Sequence, residues 1–393
     1  MQQFFATCPR GLEMILVDEL RQLGADKLHA VGGGVQFVGD SLLCYRVNLE
    51  SRIASRVLWQ VAKAGYRGEN DVYRTAYAVP WTDWFDAART IRVDVSATKS
   101  PLTSLNFVTL KIKDAVCDKI RQLSQRRPSV DTRDPDIPIQ GHLTDREFTL
   151  YLDTSGEPLF KRGQRIATGE APLRENLAAG ILRLAGWSPG IPLLDPMCGS
   201  GTIVLEAAQI ALDILPGLDR HFAFEKFKNF DAQAWRELIR RRTARRKARV
   251  ALPIFGSDID GSVLQAAHAN LAGTGLEQVV SLKRANVLEL TAPAKEGIIV
   301  SNPPYGVRLG EQQALAEFYP KLGDVLKKQF SGWRAYFLSA DMQLPKLIRL
   351  AASKRTPLFN GALECRLFEY QMIEGGMRKK KPAAQSPSQT PIT

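Results

Sequence analysis

One stretch, LLDPMCGSGT at residues 193–202, constrains the fold more than any other part of this 393-residue chain. Its apolar start predicts a buried strand, its glycines a tight turn, and the apolar residues 203–215 a helix. Glycines let the backbone approach a ligand, and the first turn of a helix offers free N–H groups, so the stretch predicts a nucleotide-type site. It lacks the lysine of a P-loop and the GxGxxG spacing of a dinucleotide site, which disfavours triphosphates and dinucleotides.

The rest of the C-terminal half alternates between strand and helix patterns. Apolar runs predict strands near residues 191–195, 253–258, 279–284, 297–301, 334–339 and 363–372. Residues 356–359 give the last strand an antiparallel partner, and Gly361 in the turn between them suits a positive φ. The alternation predicts an α/β fold, a doubly wound Rossmann-like sheet that ends in an antiparallel hairpin.

A second unusual loop, NPPY at residues 302–305, follows one of the apolar strands. The prolines cannot extend the strand and hold the loop stiff, and Pro304 restricts Pro303 to extended geometry. The side-chain oxygen of Asn302 and the carbonyl of Pro303 can both accept hydrogen bonds from an exocyclic amino group, while Tyr305 can stack on the base. Four residues alone are equally compatible with a proline-rich turn, but the glycine-rich loop upstream favours a site.

Together these motifs resemble the class I S-adenosylmethionine-dependent methyltransferases that modify exocyclic amines. The resemblance is strongest to the RlmL family of 23S rRNA guanine-N2 methyltransferases, in the short form without a second fused methyltransferase, and it extends to about residue 375. It implies S-adenosylmethionine as the cofactor. Besides the two loops, it rests on the stretches FATCPRGLE (5–13), NLESRIASRVL (48–58), YLDTSG (151–156), KRG (161–163), EAPLRENLA (170–178), SDID (257–260) and NPPYGVRLG (302–310).

The resemblance also implies the domain organisation. It places an α+β ferredoxin-like module at residues 1–60, a THUMP RNA-binding domain at 61–155, a connecting segment at 156–190 and the methyltransferase domain at 191–375, with a basic insertion at 216–252. The basic and Ser/Pro/Gln-rich tail at 376–393 is expected to be disordered.

The residues of the expected THUMP region themselves predict only an α+β module with a basic face. Helices are expected at 81–88 and 105–125, and the second of these carries several lysines and arginines. A solvated helix face explains such charges as well as RNA binding does.

Polar residues at the predicted strand ends supply candidate cofactor contacts, because ligands of a doubly wound sheet lie at the carboxyl ends of its strands. Asp195 can meet the sulfonium end of the cofactor. Asp258 can accept both ribose hydroxyls or, alternatively, cap the next helix, for which Asp260 is the better candidate. Asn286 stands where the family pattern commonly has Asp and can still accept from the adenine amino group. The predicted set is Asp195, Pro196, Cys198, Gly199, Ser200, Gly201, Thr202, Asp258, Ile259, Asn286 and Val287, with Asn176 placed by the resemblance near the methionine end.

Basic residues supply candidate RNA contacts. The net charge of +12 points to a polyanionic partner, although a generically basic protein would look the same. Seven basic residues between 240 and 249 form the densest positive patch, and the scarcity of acids in this predicted helix favours phosphate contact over a solvated face. The predicted contacts are Lys161, Arg162 and Arg165 in a loop expected to be exposed, Arg240, Arg241, Arg245 and Arg246 in the insertion, and Arg308, for which a surface salt bridge is equally compatible.

The predicted activity is methyl transfer to the exocyclic N2 amine of a guanine in 23S rRNA or a large-subunit precursor. Three alternatives stay open: guanine-N2 methylation of tRNA, adenine-N6 methylation of RNA or DNA, and a catalytically idle RNA-binding assembly protein. The sulfonium methyl is already electrophilic, so no dedicated general base is required, and none of the four histidines lies near the NPPY motif in sequence.

Other features bound the cellular setting. The five cysteines are scattered without CxxC pairing, which argues against structural zinc and against a disulfide framework. No apolar run reaches the length of a membrane span, and the first residues lack the pattern of a signal peptide. We therefore expect a cytoplasmic monomer without a metal.

Overall fold

The computed structural model describes residues 1–163, 173–304 and 309–373, with side chains from residue 313 onward in the last range. The described residues form two seven-stranded sheets, one from each half of the chain. No helix among them is long and apolar enough to cross a membrane. The expected tail at 376–393 lies outside these ranges.

The N-terminal half forms one mixed sheet with four α-helices among the described residues. Its elements are β1 (Gln2–Thr7), α1 (Glu13–Gln22), β2 (Asp26–Val31), β3 (Gly34–Gly39), α2 (Ser41–Glu50), β4 (Arg56–Gly65), α3 (Glu69–Ala78), β5 (Ile91–Ala97), α4 (Leu105–Ser124), β6 (Ile137–Leu143) and β7 (Glu147–Asp153). The strand order is β2-β3-β1-β4-β7-β6-β5. The expected boundary between residues 60 and 61 falls inside β4, so the two N-terminal modules share one continuous sheet.

Two helices expected in this half have different outcomes. The apolar stripe of α4 is fully buried, including Val108, Ile112 and Ile120, as the 3.6-residue spacing predicts. The helix expected at 81–88 is wrong, because only a 3₁₀ turn forms at Trp81–Asp83. The apolar residues there pack into the tertiary structure instead. The Trp81 side chain is fully buried, and its Nε1 donates to the carbonyl of Ala76 at 2.8 Å.

The C-terminal half forms the predicted doubly wound sheet. Its elements are α5 (Glu175–Leu184), β8 (Leu193–Asp195), α6 (Thr202–Ala211), α7 (Ala232–Thr243), β9 (Ile254–Asp258), α8 (Gly261–Gly273), β10 (Ser281–Arg284), β11 (Gly297–Ser301), α9 (Leu309–Gln329), β12 (Trp333–Ser339), α10 (Leu344–Leu347), β13 (Lys354–Asn360) and β14 (Leu363–Gln371). The strand order is β10-β9-β8-β11-β12-β14-β13. Six of the seven strands run in the same direction and β14 runs opposite to them, which confirms the predicted final hairpin.

The two halves pack against each other through a shared hydrophobic core that contains residues of both sheets. Charged groups also cross the junction. Glu19 on α1 pairs with Arg183 on α5 at 3.1 Å, and Arg52 after α2 pairs with Glu206 on α6 at 2.8 Å. The N-terminal module is therefore fixed beside α5 and α6, the helices that precede and follow β8 and the glycine-rich loop.

Candidate active site

The glycine-rich loop between β8 and α6 is held from both sides. The backbone N–H of Cys198 donates to the carbonyl of Ser257 on β9 at 2.9 Å, and the side-chain amide of Asn270 on α8 donates to the carbonyl of Ser200 at 3.0 Å. Both Gly199 and Gly201 have positive φ, at +53° and +82°. These contacts fix the loop at the carboxyl edge of the sheet.

The two glycines leave different amounts of space. A Cβ on Gly201 would lie 3.1 Å from the Cβ of Ala267, so close packing on α8 adds to the conformational reason for glycine there. A Cβ on Gly199 would meet nothing within 4 Å. The backbone at Gly199 is therefore open to a ligand.

Asp258 ends β9 and faces this loop. Its Oδ2 accepts from the backbone N–H of Gly199 at 2.9 Å, and its Oδ1 accepts from the N–H of Asp260 at 3.0 Å. Asp260 is the cap of α8, since its own carboxylate accepts from the N–H of Ser262 at 2.8 Å. The carboxylate oxygens of Asp258 keep further lone pairs that suit ribose hydroxyls.

Asp195 ends β8 as a buried carboxyl, 2% exposed. Its Oδ1 accepts from the Ser301 hydroxyl at 2.7 Å and from the N–H of Met197 at 3.3 Å. Burial raises the pKa of Asp195 from 3.8 to about 7, the Ser301 hydrogen bond offsets part of that rise, and the charge of Asp258 adds to it. The group is therefore poised to ionise when a positive charge comes near.

The contact between Ser301 and Asp195 joins the two motifs that the sequence singled out. Ser301 ends β11, the neighbour of β8 in the sheet, and Asn302 follows it directly. Sequence reasoning missed Ser301, although a polar residue at the end of an apolar strand was the available signal. The structure thus brings the NPPY loop beside the glycine-rich loop.

The start of the NPPY loop is firmly held. Asn302 is partly exposed and Pro303 is buried. The carbonyl of Pro304 accepts from the hydroxyl of Tyr319 on α9 at 2.5 Å. Tyr305 and Arg308 lie outside the described residues, so their predicted roles rest on sequence alone.

The residues predicted for the adenine side lie at the ends of β9 and β10. Asn286 accepts from the N–H of Leu288 at 3.0 Å and so caps a 3₁₀ turn. Val287 is buried, and the Ile259 side chain is 62% exposed. The carbonyl of Pro196 accepts from the Ser257 hydroxyl at 3.4 Å. Their cofactor contacts stay predictions.

Known proteins share these domains. Residues 162–369 match the RMKL-like methyltransferase domain, residues 66–153 the THUMP domain, and residues 3–58 the RlmL ferredoxin-like domain. A putative RNA methyltransferase of Synechocystis sp. is 40% identical over 94% of this chain and 96% of its own length. The chain belongs to the RMKL-like methyltransferase family.

Two further relatives extend this result. The ribosomal RNA large subunit methyltransferase K/L of Aeromonas salmonicida is 40% identical over 98% of this chain, which spans 56% of that protein's length. A putative methyltransferase crystallised with S-adenosylhomocysteine has a TM-score of 0.86 and 30% identity, and the match covers 94% of this chain and 98% of the other. S-adenosylmethionine is thus the cofactor of the methyltransferase domain. The open backbone at Gly199 and the carboxylates of Asp195 and Asp258 are compatible with this cofactor.

Asn176 lies at the junction with the N-terminal module of this methyltransferase. Its amide nitrogen donates to the carbonyl of Ile53 at 3.2 Å and to the hydroxyl of Ser55 at 2.9 Å. The side chain is 1% exposed, and its Oδ1 has no hydrogen-bond partner in the described structure. Only that oxygen is available for the predicted contact with the methionine end of the cofactor.

The expectation that Arg162 lies in an exposed loop is wrong. Arg162 is 4% exposed, and its guanidinium pairs with Glu206 on α6 at 2.9 Å. Glu206 also pairs with Arg52, so this buried cluster ties the connecting segment to both halves. Lys161 is exposed and lies 3.3 Å from Glu157. Arg165 lies outside the described residues.

The basic cluster of the insertion is only partly helical, because α7 ends at Thr243. Arg240 and Arg241 both pair with Glu237, at 2.8 and 2.5 Å, and these arginines, Arg240 first, lower the pKa of Glu237 to about 2. The expectation that the cluster lacks compensating acids is therefore wrong for this part. Arg245 and Arg246 follow the helix and are exposed.

Proposed function

We propose that this chain transfers a methyl group from S-adenosylmethionine to the exocyclic N2 amine of a guanine in 23S rRNA. The observation that carries the proposal is the Ser301–Asp195 hydrogen bond, which sets Asn302 beside the loop that suits the cofactor. The THUMP match supports an RNA substrate, and the name of the Aeromonas relative supports ribosomal RNA of the large subunit. The choice of guanine N2 rests on the resemblance to the RlmL family.

The proposed mechanism depends on placement. Bound S-adenosylmethionine supplies an electrophilic methyl group. The side-chain oxygen of Asn302 and the carbonyl of Pro303 accept hydrogen bonds from the NH2 group and turn its lone pair toward the methyl. The same two oxygens stabilise the positive charge that develops on the nitrogen. The buried Pro303 and the Tyr319 contact to Pro304 hold the backbone of the loop that carries these acceptors.

Nucleoside mass spectrometry tests the substrate. Ribosomal RNA and tRNA are compared between cells with and without this gene. Loss of N2-methylguanosine from large-subunit rRNA is the expected result. Loss from tRNA, or loss of N6-methyladenosine, would keep the mechanism and overturn the substrate.

Cofactor binding distinguishes the enzyme from an idle RNA-binding protein. We expect S-adenosylmethionine to bind the purified chain in a calorimetric titration. A chain that binds RNA without measurable affinity for the cofactor would favour the assembly-protein alternative.

A further inference from the structure

A cleft separates the N-terminal module from the last hairpin of the methyltransferase sheet. Its walls include Arg10 and Ser55 from the N-terminal module, Arg174 before α5, and Phe359 and Gly361 from the hairpin. Its volume is about 340 Å³. That lies at the lower end of the roughly 300–1,000 Å³ of ligand pockets, enough for a nucleotide-sized group.

The cleft opens at the same edge of the sheet as the candidate active site. Because β13 and β12 both run antiparallel to β14, β13 is parallel to β12, and Asn360 marks its carboxyl end. Arg366 on β14 is opposite both Ser339, the last residue of β12, and Pro357. The hairpin therefore extends three residues past the end of β12, about 10 Å at 3.3 Å per residue.

The lateral distance is also short. Three strand spacings separate β11, which ends at Ser301, from β13, in the order β11-β12-β14-β13. At about 4.8 Å per spacing, the hairpin lies roughly 14 Å to the side of the strand that leads into the NPPY loop. An RNA strand that delivers a base to Asn302 therefore has its neighbouring backbone within reach of the cleft.

Two arginines of the cleft have no ion-pair partner among the described residues. The guanidinium of Arg10 lies 5.9 Å from the ring centre of Phe359, and that of Arg174 lies 4.8 Å from the ring centre of Phe160. Glu13, the first residue of α1, accepts from the backbone N–H groups of Gly11 and Gly33 at 2.8 and 2.9 Å. Aromatic stacking orients a guanidinium and leaves its N–H groups available for an oxyanion.

Close packing fixes Arg10 relative to the sheet. Gly11 has a φ of +91°, and a Cβ there would lie 2.2 Å from the carbonyl oxygen of Pro357 on β13. On the other side, Gly180 of α5 leaves room for the side chain of Leu12, where a Cβ would come within 2.4 Å. The loop that carries Arg10 is thus clamped between β13 and α5. A site held on both sides in this way is preorganised.

We propose that Arg10 and Arg174 bind a phosphate of the RNA strand next to the target nucleotide. The inference rests on the proposed function and deepens it, because it gives the N-terminal ferredoxin-like module a direct part in substrate binding. Guanidinium groups bind phosphate oxygens in a bidentate manner and position the strand without reading its sequence. The target base then reaches Asn302 while its neighbouring backbone is held at the hairpin.

The test compares R10Q, the double variant R10Q/R174Q and the control R21Q. Arg21 lies in the same N-terminal module, on α1, where it is exposed and pairs with Asp18. We expect the KM for RNA to rise about 10- to 100-fold in the double variant, with the Kd for S-adenosylmethionine unchanged. The slope of log K against log salt should fall by about 0.7 per lost phosphate contact. A KM and a salt slope equal to those of R21Q would overturn the proposal.

Arg10 alone keeps the test decisive if the double variant folds poorly. Its side chain is exposed and makes no hydrogen bond to the described residues, so R10Q should melt at the wild-type temperature while raising the KM for RNA. Replacing the phosphates beside the target with neutral methylphosphonates should raise the wild-type KM and leave that of the double variant unchanged. An unchanged wild-type KM would show that the cleft does not bind the phosphates beside the target and would overturn the proposal.

Failure of the proposed function can be distinguished from failure of the phosphate site. If the wild-type protein methylates no RNA, the function fails whatever the variants do. Filter binding of the same RNA then tests the cleft by itself. Weaker binding of R10Q than of R21Q supports a phosphate site, and equal binding overturns it.

Discussion

The carboxyl edge of the methyltransferase sheet and the end of the basic insertion hold their charges in opposite ways. At the edge, Asp195 is buried without a basic partner in the described structure, and its pKa rises to about 7. In the insertion, Glu237 is partly exposed between Arg240 and Arg241, which lower its pKa to about 2. The protein already neutralises the second carboxylate, whereas the first remains available to a cationic ligand. The edge of the sheet is therefore arranged for chemistry and the insertion for contact with solvent or a large polyanion.

The largest expected effect concerns the edge. Asn302→Ala removes one of the two acceptors proposed to orient the amine, and we expect kcat to fall about 1,000-fold. RNA affinity should stay within about twofold, because binding depends on other surfaces. Single-turnover methylation and filter binding measure the two quantities. Asn106→Ala, an exposed asparagine on α4, is the control, and equal loss of RNA binding in Asn302→Ala would contradict this division of roles.

Next comes the contrast between buried and exposed ion pairs. Glu206 faces Arg52 and Arg162 in the interior, and Glu237 faces two arginines in solvent. Glu206→Gln leaves two buried guanidinium groups without a carboxylate, so the free energy of unfolding should drop by roughly 3 kcal/mol. Glu237→Gln should change it little, because exposed pairs are solvated in either case. Urea unfolding measures the free energy of unfolding of both variants. Equal losses in Glu206→Gln and Glu237→Gln would show that burial does not determine how much such a pair contributes to stability.

The raised pKa of Asp195 predicts that cofactor binding depends on pH. A carboxyl that titrates near 7 must ionise to hold a cationic ligand, so the affinity for S-adenosylmethionine should fall by up to about tenfold per pH unit below 7. Because the Ser301 hydroxyl stabilises the charged form, Ser301→Ala should move this midpoint to higher pH. Calorimetric titrations between about pH 5.5 and 8.5 measure it. Asp195→Asn should show no such dependence, and a wild-type affinity independent of pH would refute the assignment.

The same group has a consequence for stability. The folded-state pKa of Asp195 lies above the unfolded value of 3.8. Between these two values the folded protein binds more protons than the unfolded chain, so the ligand-free protein should lose stability as pH rises from about 4 to about 7. Asp195→Asn should remove that part of the pH dependence.

The smallest expected effect concerns the insertion. Arg245 and Arg246 have no carboxylate partner in the described structure, unlike Arg240 and Arg241. Replacing Arg245 and Arg246 with Gln should lower the slope of log K against log salt for RNA binding by about 1.4 if each contacts one phosphate of a single strand. Replacing Arg240 and Arg241 should lower it less, since Glu237 already neutralises part of their charge. Equal slopes for both double variants would show that pairing with Glu237 does not weaken the contribution of Arg240 and Arg241 to RNA binding.

The positions of polar residues at strand ends could be predicted from the sequence more fully than the surroundings of the arginines. The strand-end positions of Asp195, Asp258 and Asn302 followed from local patterns, because apolar runs, glycines and prolines act on the backbone within a few residues. The pairing of Arg240 with Glu237, three residues earlier on α7, could also be read from helical spacing, but the burial of Arg162 could not. A long basic side chain looks alike in sequence whether it reaches solvent or an acid elsewhere on the chain.

The sequence by itself determined the doubly wound sheet, its final hairpin and the two loops at its carboxyl edge. Only the tertiary structure decided that Arg162 pairs with Glu206 in the interior, that Ser301 bonds to Asp195 across 106 residues, and that Arg10 meets Phe359 near the far end of the chain. The physical reason is the distance along the chain over which each interaction acts. Backbone geometry is set by neighbours in the chain, whereas electrostatic and packing partners are set by the folded arrangement of segments that are distant in sequence.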